Sequence, residues 1–241
     1  MTKPQILVPD DVGFHNASDY VARLEKEKTY RDLSTIIVCP TRGSIPARIV
    51  QNWQGLIRPM NQKVIGPIFM EGMEVGEAYN SVLKMILENP DLSSFKYILT
   101  LEEDNAPPAD GLVKLYEAID EYDVVGGLYW TKGEGGQPMC YGDPSVMPLN
   151  FIPQIPQPDT VTPCNGLGMG FTLFRTEMLK DKRFDYGNWF KTKQEVVPGV
   201  GTQVYTQDLW FFQKARELGY KFACDSRVRV GHYDASAQIM W

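Results

Sequence analysis

The sequence predicts an α/β fold, a mostly parallel central sheet flanked by helices. Short β-branched runs alternate along the chain with segments whose apolar residues recur at helical spacing. The 241 residues, 43% hydrophobic and 22% charged, suit one large domain with a sizeable core and exclude a disordered chain. A formal charge of −6 argues against a general polyanion-binding surface, although it leaves room for a local basic groove. No run approaches the roughly 18 apolar residues of a membrane span, and the start of the chain has no apolar signal core behind a basic stretch. Cys39, Cys140, Cys164 and Cys224 are scattered, with no C-x-x-C pair and no zinc-like spacing. A soluble, cytoplasmic protein in a reducing compartment is the expectation.

Residues 1–34 read as an accessory segment, with Ser18 capping a surface helix to about Lys28, and residues 35–241 as the main domain. Residues 36–39 form a buried strand stopped by Pro40, and Thr41, Arg42 and Gly43 make the turn at its carboxyl end. A second strand covers 63–70. Ala78, Val82, Leu83, Ile86 and Leu87 then define a helix over 77–88, ended by Asn89 and Pro90. The strand at 95–101 runs directly into Glu102, Glu103 and Asp104, which places three acids at a carboxyl end. Ligands of such sheets bind at these ends. A helix from Asp110 buries Leu112, Leu115, Tyr116 and Ile119, and a strand follows over 123–129. Five prolines between Met147 and Pro163 predict a long irregular loop. Next come the small-residue run 165–170, a strand at 171–174 and a short helix at 177–180. The last helix starts at Thr206 as N-cap and runs to Gly219, burying Leu209, Phe212, Ala215 and Leu218. Two short strands, 221–224 and 227–230, lead to His232.

Three adjacent carboxylates repel one another, so a cation is expected beside them. In an extended segment Glu102 and Asp104 share a face and Glu103 points away, which suits a hard divalent ion such as Mg²⁺ or Mn²⁺. The plain alternative is a solvated acidic turn before a helix. His232, one of only two histidines, is either structural or a third ligand that would favour Mn²⁺. Asp208, in the first turn of its helix, either complements the helix dipole or acts as a general base. The run from Asn165 to Gly170 is not a P-loop or a dinucleotide fingerprint; it is a tight bend or a close-approach turn around a polar ligand. Thr41 and Arg42 are candidates for contacting phosphate or nucleobase.

In this order the features resemble the glycosyltransferases of the GT-A fold, particularly the family 2-like enzymes that use nucleotide-diphosphate sugars, over roughly residues 34–234. The residues from Ile36 to Arg42 look like the first strand and nucleotide loop, and Gly76 to Asn80 look like the helix start near the nucleotide. Tyr97 to Asp104 is similar to the D-x-D segment, with Glu102 in place of the first Asp. Asp123 to Trp130 resembles the strand facing the donor sugar, Gly166 to Arg175 the segment shaping the sugar and acceptor pocket. Thr206-Gln207-Asp208 resembles the Glu-Asp helix, with Gln207 in place of Glu, and Val230-Gly231-His232 the terminal metal histidine. The resemblance implies a single GT-A-type domain over 35–241 and Asp208 as catalytic base of an inverting transfer. It implies Pro40, Thr41, Arg42, Asn80 and Glu103 at the nucleotide, and Glu102, Asp104 and His232 on Mn²⁺ or Mg²⁺. Trp130, Asn165, Gly166, Gly168 and Met169 would then meet the substrate. The implied donor is a nucleotide-diphosphate sugar, a UDP-sugar in preference. The acceptor is open: a saccharide, or a hydroxylated DNA base if Arg183, Lys191 and Lys193, or Arg227 and Arg229, form a basic face. A nucleotidyltransferase acting on a sugar phosphate and a non-catalytic nucleotide-sugar-binding module are the alternatives.

Overall fold

The computed structural model describes residues 31–197 and 201–241. Its elements begin β1 (Thr35–Thr41), α1 (Ala47–Gln54), β2 (Val64–Glu71), α2 (Val75–Glu88), β3 (Tyr97–Leu101), β4 (Asn105–Ala106), α3 (Gly111–Ala118) and β5 (Val124–Leu128). They continue β6 (Cys140–Tyr141), β7 (Val161–Cys164), β8 (Gly166–Leu167), β9 (Phe171–Arg175), α4 (Thr176–Leu179), β10 (Lys193–Val197) and β11 (Gly201–Tyr205). Last come α5 (Gln207–Glu217), β12 (Phe222–Arg229), β13 (Gly231–Asp234) and β14 (Ile239–Met240). By its contacts the chain divides into the units Met1–Asp32 and Leu33–Trp241; the helix expected over 18–28 lies outside the described residues.

Seven strands form the main sheet, in the order β2-β1-β3-β9-β5-β12-β7. β1, β2 and β3 are parallel, as are β5 and β12. β9 lies antiparallel between β3 and β5, and β7 is an antiparallel edge. The sheet is therefore mostly parallel, as expected. β9 is reversed because the chain enters it at Gly170, whose carbonyl accepts from Glu102 N–H (3.1 Å) at the carboxyl end of β3, and runs back without a crossover.

Alternate residues of one strand face opposite sides of a sheet. Ile36 and Val38 accordingly join the core under α2 and α5, with Tyr79, Leu83, Phe211 and Phe212. Ile37 joins the core on the other face with Leu99, Leu112 and Leu115. Every residue of β3 and β5 is buried, which is what two covered faces require.

Several elements differ from the sequence reading. The strands expected at 221–224 and 227–230 are one strand, β12, because Asp225 is not a break: it is fully buried and gripped by Arg227, Nε to Oδ1 at 2.9 Å and Nη2 to Oδ2 at 2.8 Å. Pro163 stands inside β7, opposite Ala223, which is tolerated because β7 is an edge strand. Helix α1, absent from the sequence reading, follows Pro46 without a side-chain cap and buries only Ile49. Cys140, Cys164 and Cys224, distant in sequence, belong to one hydrophobic core; all four cysteines are free and buried. Among the described residues no helix is long and apolar enough to cross a membrane.

Candidate active site

The carboxyl ends of β1 and β3, the loop after β5 and the starts of α2 and α5 converge on a cleft of about 380 Å³. Its walls are Pro40, Thr41, Arg42, Met73, Val75, Glu102, Glu103, Asp104, Lys132 and Gln207. A larger open hollow, about 590 Å³, lies at the amino ends of β5 and β12 beside Asp123 and Lys221. The Arg175 guanidinium there is spent on the carbonyls of Ile119 and Tyr122, whereas the acids predicted to form the site line the smaller cleft.

The acidic segment is not extended, which corrects the expected geometry. β3 ends at Leu101, and Asn105 N–H donates to the Glu102 carbonyl at 3.0 Å, closing a tight turn. The turn sends the three carboxylates to three different partners. Glu102 turns inward, where its Oε1 accepts from the Tyr79 hydroxyl at 3.2 Å. Burial, reinforced by the charges of Asp104 and Asp208, pushes its carboxyl up to about 7. Glu103 faces β1: its Oε2 accepts from Thr41 Oγ1 at 2.7 Å and Arg42 N–H at 2.9 Å, and its Oε1 from Arg42 Nε at 2.5 Å. Burial would raise Glu103, but these donors outweigh it and hold its carboxyl below the usual range.

Asp104 faces the cleft. Lys132 Nζ lies 2.5 Å from its Oδ2, and His232 Nε2 lies 3.7 Å from the same oxygen. Burial would lift Asp104, yet His232 and Lys132 hold it down at about 2. The histidine is brought there by strand pairing, since β13 runs antiparallel to β4 with His232 opposite Asn105, and Tyr233 N–H donates to the Asp104 carbonyl at 2.7 Å. Its Nδ1 is 2.7 Å from the Trp130 carbonyl, which only accepts, so Nδ1 carries a hydrogen and Nε2 is the nitrogen turned to Asp104. The Tyr129 ring meets the imidazole edge-on at 5.4 Å.

Asp208 sits in the first turn of α5 and is buried. Thr206 occupies the N-cap, but its hydroxyl donates to Asp208 Oδ1 instead of capping the helix; Leu209 N–H donates to the same oxygen at 2.9 Å. Among the described residues no hydrogen bond engages Oδ2. Burial raises the Asp208 carboxyl above its ordinary value.

Pro40, Thr41, Arg42, Glu102, Glu103 and Asp104 thus surround one cleft, with His232 and Asp208 beside it. The other residues expected at the site are not among its walls. Asn80 clamps the backbone of Phe190, Nδ2 to its carbonyl at 2.8 Å and Oδ1 from its N–H at 2.9 Å. Asn80→Ala is expected to lower stability by about 1–3 kcal/mol in urea unfolding while leaving nucleotide binding intact. Trp130 contributes its carbonyl to His232. Asn165 is fully buried and ties down the proline-rich loop through Nδ2 to the Asn150 carbonyl at 3.0 Å. Gly166 packs under the Phe151 ring, and a Cβ at Gly168 would stand 2.1 Å from the Tyr129 hydroxyl. Met169 is buried in the core. The small residues of this run serve close packing, the simpler of the two readings.

Sequence reasoning missed Lys132 and Tyr79. Lys132 lies four residues past the end of β5, where ligands of parallel sheets bind, and that position was its signal. Tyr79 falls on the buried face of α2, where a tyrosine hydroxyl needs a partner.

The donor types suit a hard divalent cation: a carboxylate oxygen and an imidazole nitrogen face each other, and the ring is fixed through its other nitrogen. Among the described residues, however, no group of three or more His, Cys, Asp or Glu side chains converges closely enough to hold a metal ion as they stand. No protein-family model and no curated protein sequence matches the chain. Among solved structures, A197 from STIV is similar at a TM-score of 0.57 and 18% identity, over 86% of this chain and 92% of A197. At that identity the likeness is one of fold. S. aureus TarS 1–349 in complex with UDP-GlcNAc gives a TM-score of 0.46 at 14% identity, over 81% of this chain and 58% of that one. GalNAc-T7 with UDP, GalNAc and Mn²⁺ gives 0.47 at 13%, over 85% and 44%. The chain spans less than two thirds of either of these two structures.

Proposed function

We propose that the chain is a GT-A-type glycosyltransferase moving a sugar from a nucleotide-diphosphate sugar, a UDP-sugar in preference, to an acceptor hydroxyl. The observation that carries this reading is the meeting, around one cleft at the carboxyl ends of the sheet, of the Thr41–Arg42 turn, the Glu102–Asp104 turn, His232 and Asp208. Thr41 and Arg42, braced by Glu103, present backbone and guanidinium to the nucleotide. Asp104 and His232, with Glu102 behind them, would hold Mn²⁺ or Mg²⁺, which when bound neutralises the diphosphate leaving group. Asp208 Oδ2 takes the proton of the acceptor hydroxyl as that oxygen attacks the anomeric carbon opposite the departing diphosphate, so the configuration inverts.

We favour a saccharide acceptor over a DNA base. Among the cations considered for a nucleic-acid face, Arg183 is paired with Asp181 at 2.6 Å, Lys191 with Asp185 at 3.3 Å, Arg227 with Asp225 at 2.8 Å and Arg229 with Asp159 at 3.8 Å. A phosphate contact would first have to displace an acid.

The test is a thermal-shift series of nucleotide sugars with and without Mn²⁺, followed by a product assay. A donor at a hundred times its Kd stabilises by about 2.7 kcal/mol, roughly 5–10 °C for a chain of this size. UDP release that needs Mn²⁺ supports the proposal. Pyrophosphate release instead points to nucleotidyl transfer, and binding without turnover to a binding module. No shift with any nucleotide sugar removes the reading.

A further inference from the structure

Lys132 is the charged cleft residue that the nucleotide, metal and base roles leave without a task. It is carried on a rigid support. Trp130 and Pro138 pair across the base of its loop, Thr131 N–H donates to the Gln137 carbonyl at 2.8 Å, and Gly133 and Gly135 take left-handed φ angles of +98° and +76° to close the turn. Two residues before Lys132, the Trp130 carbonyl fixes the His232 ring. The backbone on this side is thus tied to the imidazole, and the lysine's four-carbon stem is the part free to swing.

The ammonium contacts Asp104 Oδ2, the oxygen that faces His232 Nε2. A divalent ion shared by Asp104 and His232 would bind the oxygen that faces both, and the ammonium already on that oxygen opposes its approach by like-charge repulsion. Lys132 lines the cleft, as Arg42 does. An ammonium displaced from Asp104 therefore stays within the space where a diphosphate would meet Arg42.

We infer that Lys132 is an internal competitor of the divalent cation for Asp104 and, once displaced, a contact for the donor's diphosphate. This rests on the reading that Asp104 and His232 hold a divalent cation. It makes cation and nucleotide cooperative: the metal must dislodge the lysine, and the lysine then pulls on the phosphates that the metal also binds.

The test uses the full chain, its Lys132→Met variant and its Lys132→Arg variant, with folding checked by thermal melts. Binding of Mn²⁺ alone is read from loss of the free-ion electron paramagnetic resonance signal, and binding of UDP at saturating Mn²⁺ by calorimetry. The expected result is that Lys132→Met binds Mn²⁺ about tenfold more tightly and UDP about tenfold more weakly, a pair of opposite changes that a merely structural residue would not give. Lys132→Arg keeps the charge and should show no tightening toward Mn²⁺. Equal or weaker Mn²⁺ binding by Lys132→Met, or tightening in Lys132→Arg as well, overturns the competition and leaves the metal reading standing. If neither the wild type nor Lys132→Met binds Mn²⁺, with or without UDP, the metal reading falls and this inference with it.

Discussion

Asp208→Asn is expected to lower kcat/KM for sugar transfer by about 10²–10⁴-fold, the usual share of a positioned general base, with little change in stability. The substitution is nearly isosteric. An amide oxygen in the place of Oδ1 still accepts from the Thr206 hydroxyl and from Leu209 N–H, so the start of α5 keeps its hydrogen bonds. What disappears is the proton-accepting capacity of Oδ2. Burial already raises the affinity of Asp208 for a proton, the direction a base needs if it is to take one from a hydroxyl near neutral pH. The charge of Asp208 also helps to keep Glu102 protonated, so its removal should ease ionisation of Glu102 and leave cation binding intact or firmer. Steady-state kinetics beside a UDP titration separate these effects: kcat falls and UDP affinity holds. Full activity in Asp208→Asn would take the base assignment away and point to a transfer that retains configuration.

The parts of the site that were legible in the sequence are those where chemistry and local pattern coincide. Acids directly after an apolar strand, an acid in the first turn of a helix and a histidine just past a strand each have a position fixed by a short stretch of chain. Their convergence follows once the strands are parallel, because the carboxyl ends then lie on one edge. The illegible parts depend on long-range pairing. Nothing near Lys132 in sequence announces Asp104, 28 residues away, and nothing near Asn80 announces Phe190, 110 residues away. The glycines at 166 and 168 mislead for the same reason: whether a bare Cα admits a ligand or a neighbouring ring depends on what the fold brings there, and it brings Phe151 and Tyr129. The turn at Glu102 was misread because three acids in line look extended, whereas the Asn105 N–H folds them back.

Phe211→Ala should cause the largest loss of stability among the substitutions considered, about 3–5 kcal/mol, which for a domain of this size lowers Tm by roughly 6–20 °C. Phe211 is fully buried, and its ring lies nearly parallel to Phe190 at 4.7 Å and 14° and to Phe184 at 5.7 Å and 6°. Phe174 and Phe212 meet it edge-on at 5.6 and 5.3 Å. Truncation opens a cavity among rings that cannot all close on it, because Phe174 is held in β9 and Phe190 is clamped by Asn80. Phe211→Leu keeps most of the volume and should lose distinctly less. The stack also bears on the site, since Phe211 follows Asp208 by three residues on α5 and so lies on the same side of the helix. Urea and thermal melts read the stability, and kinetics well below the lowered Tm read the chemistry. Phe211→Ala should melt early yet keep most of its turnover while folded, the reverse of Asp208→Asn. A loss below about 1 kcal/mol, the ordinary effect of a point substitution, would mean that the ring stack does not anchor α5.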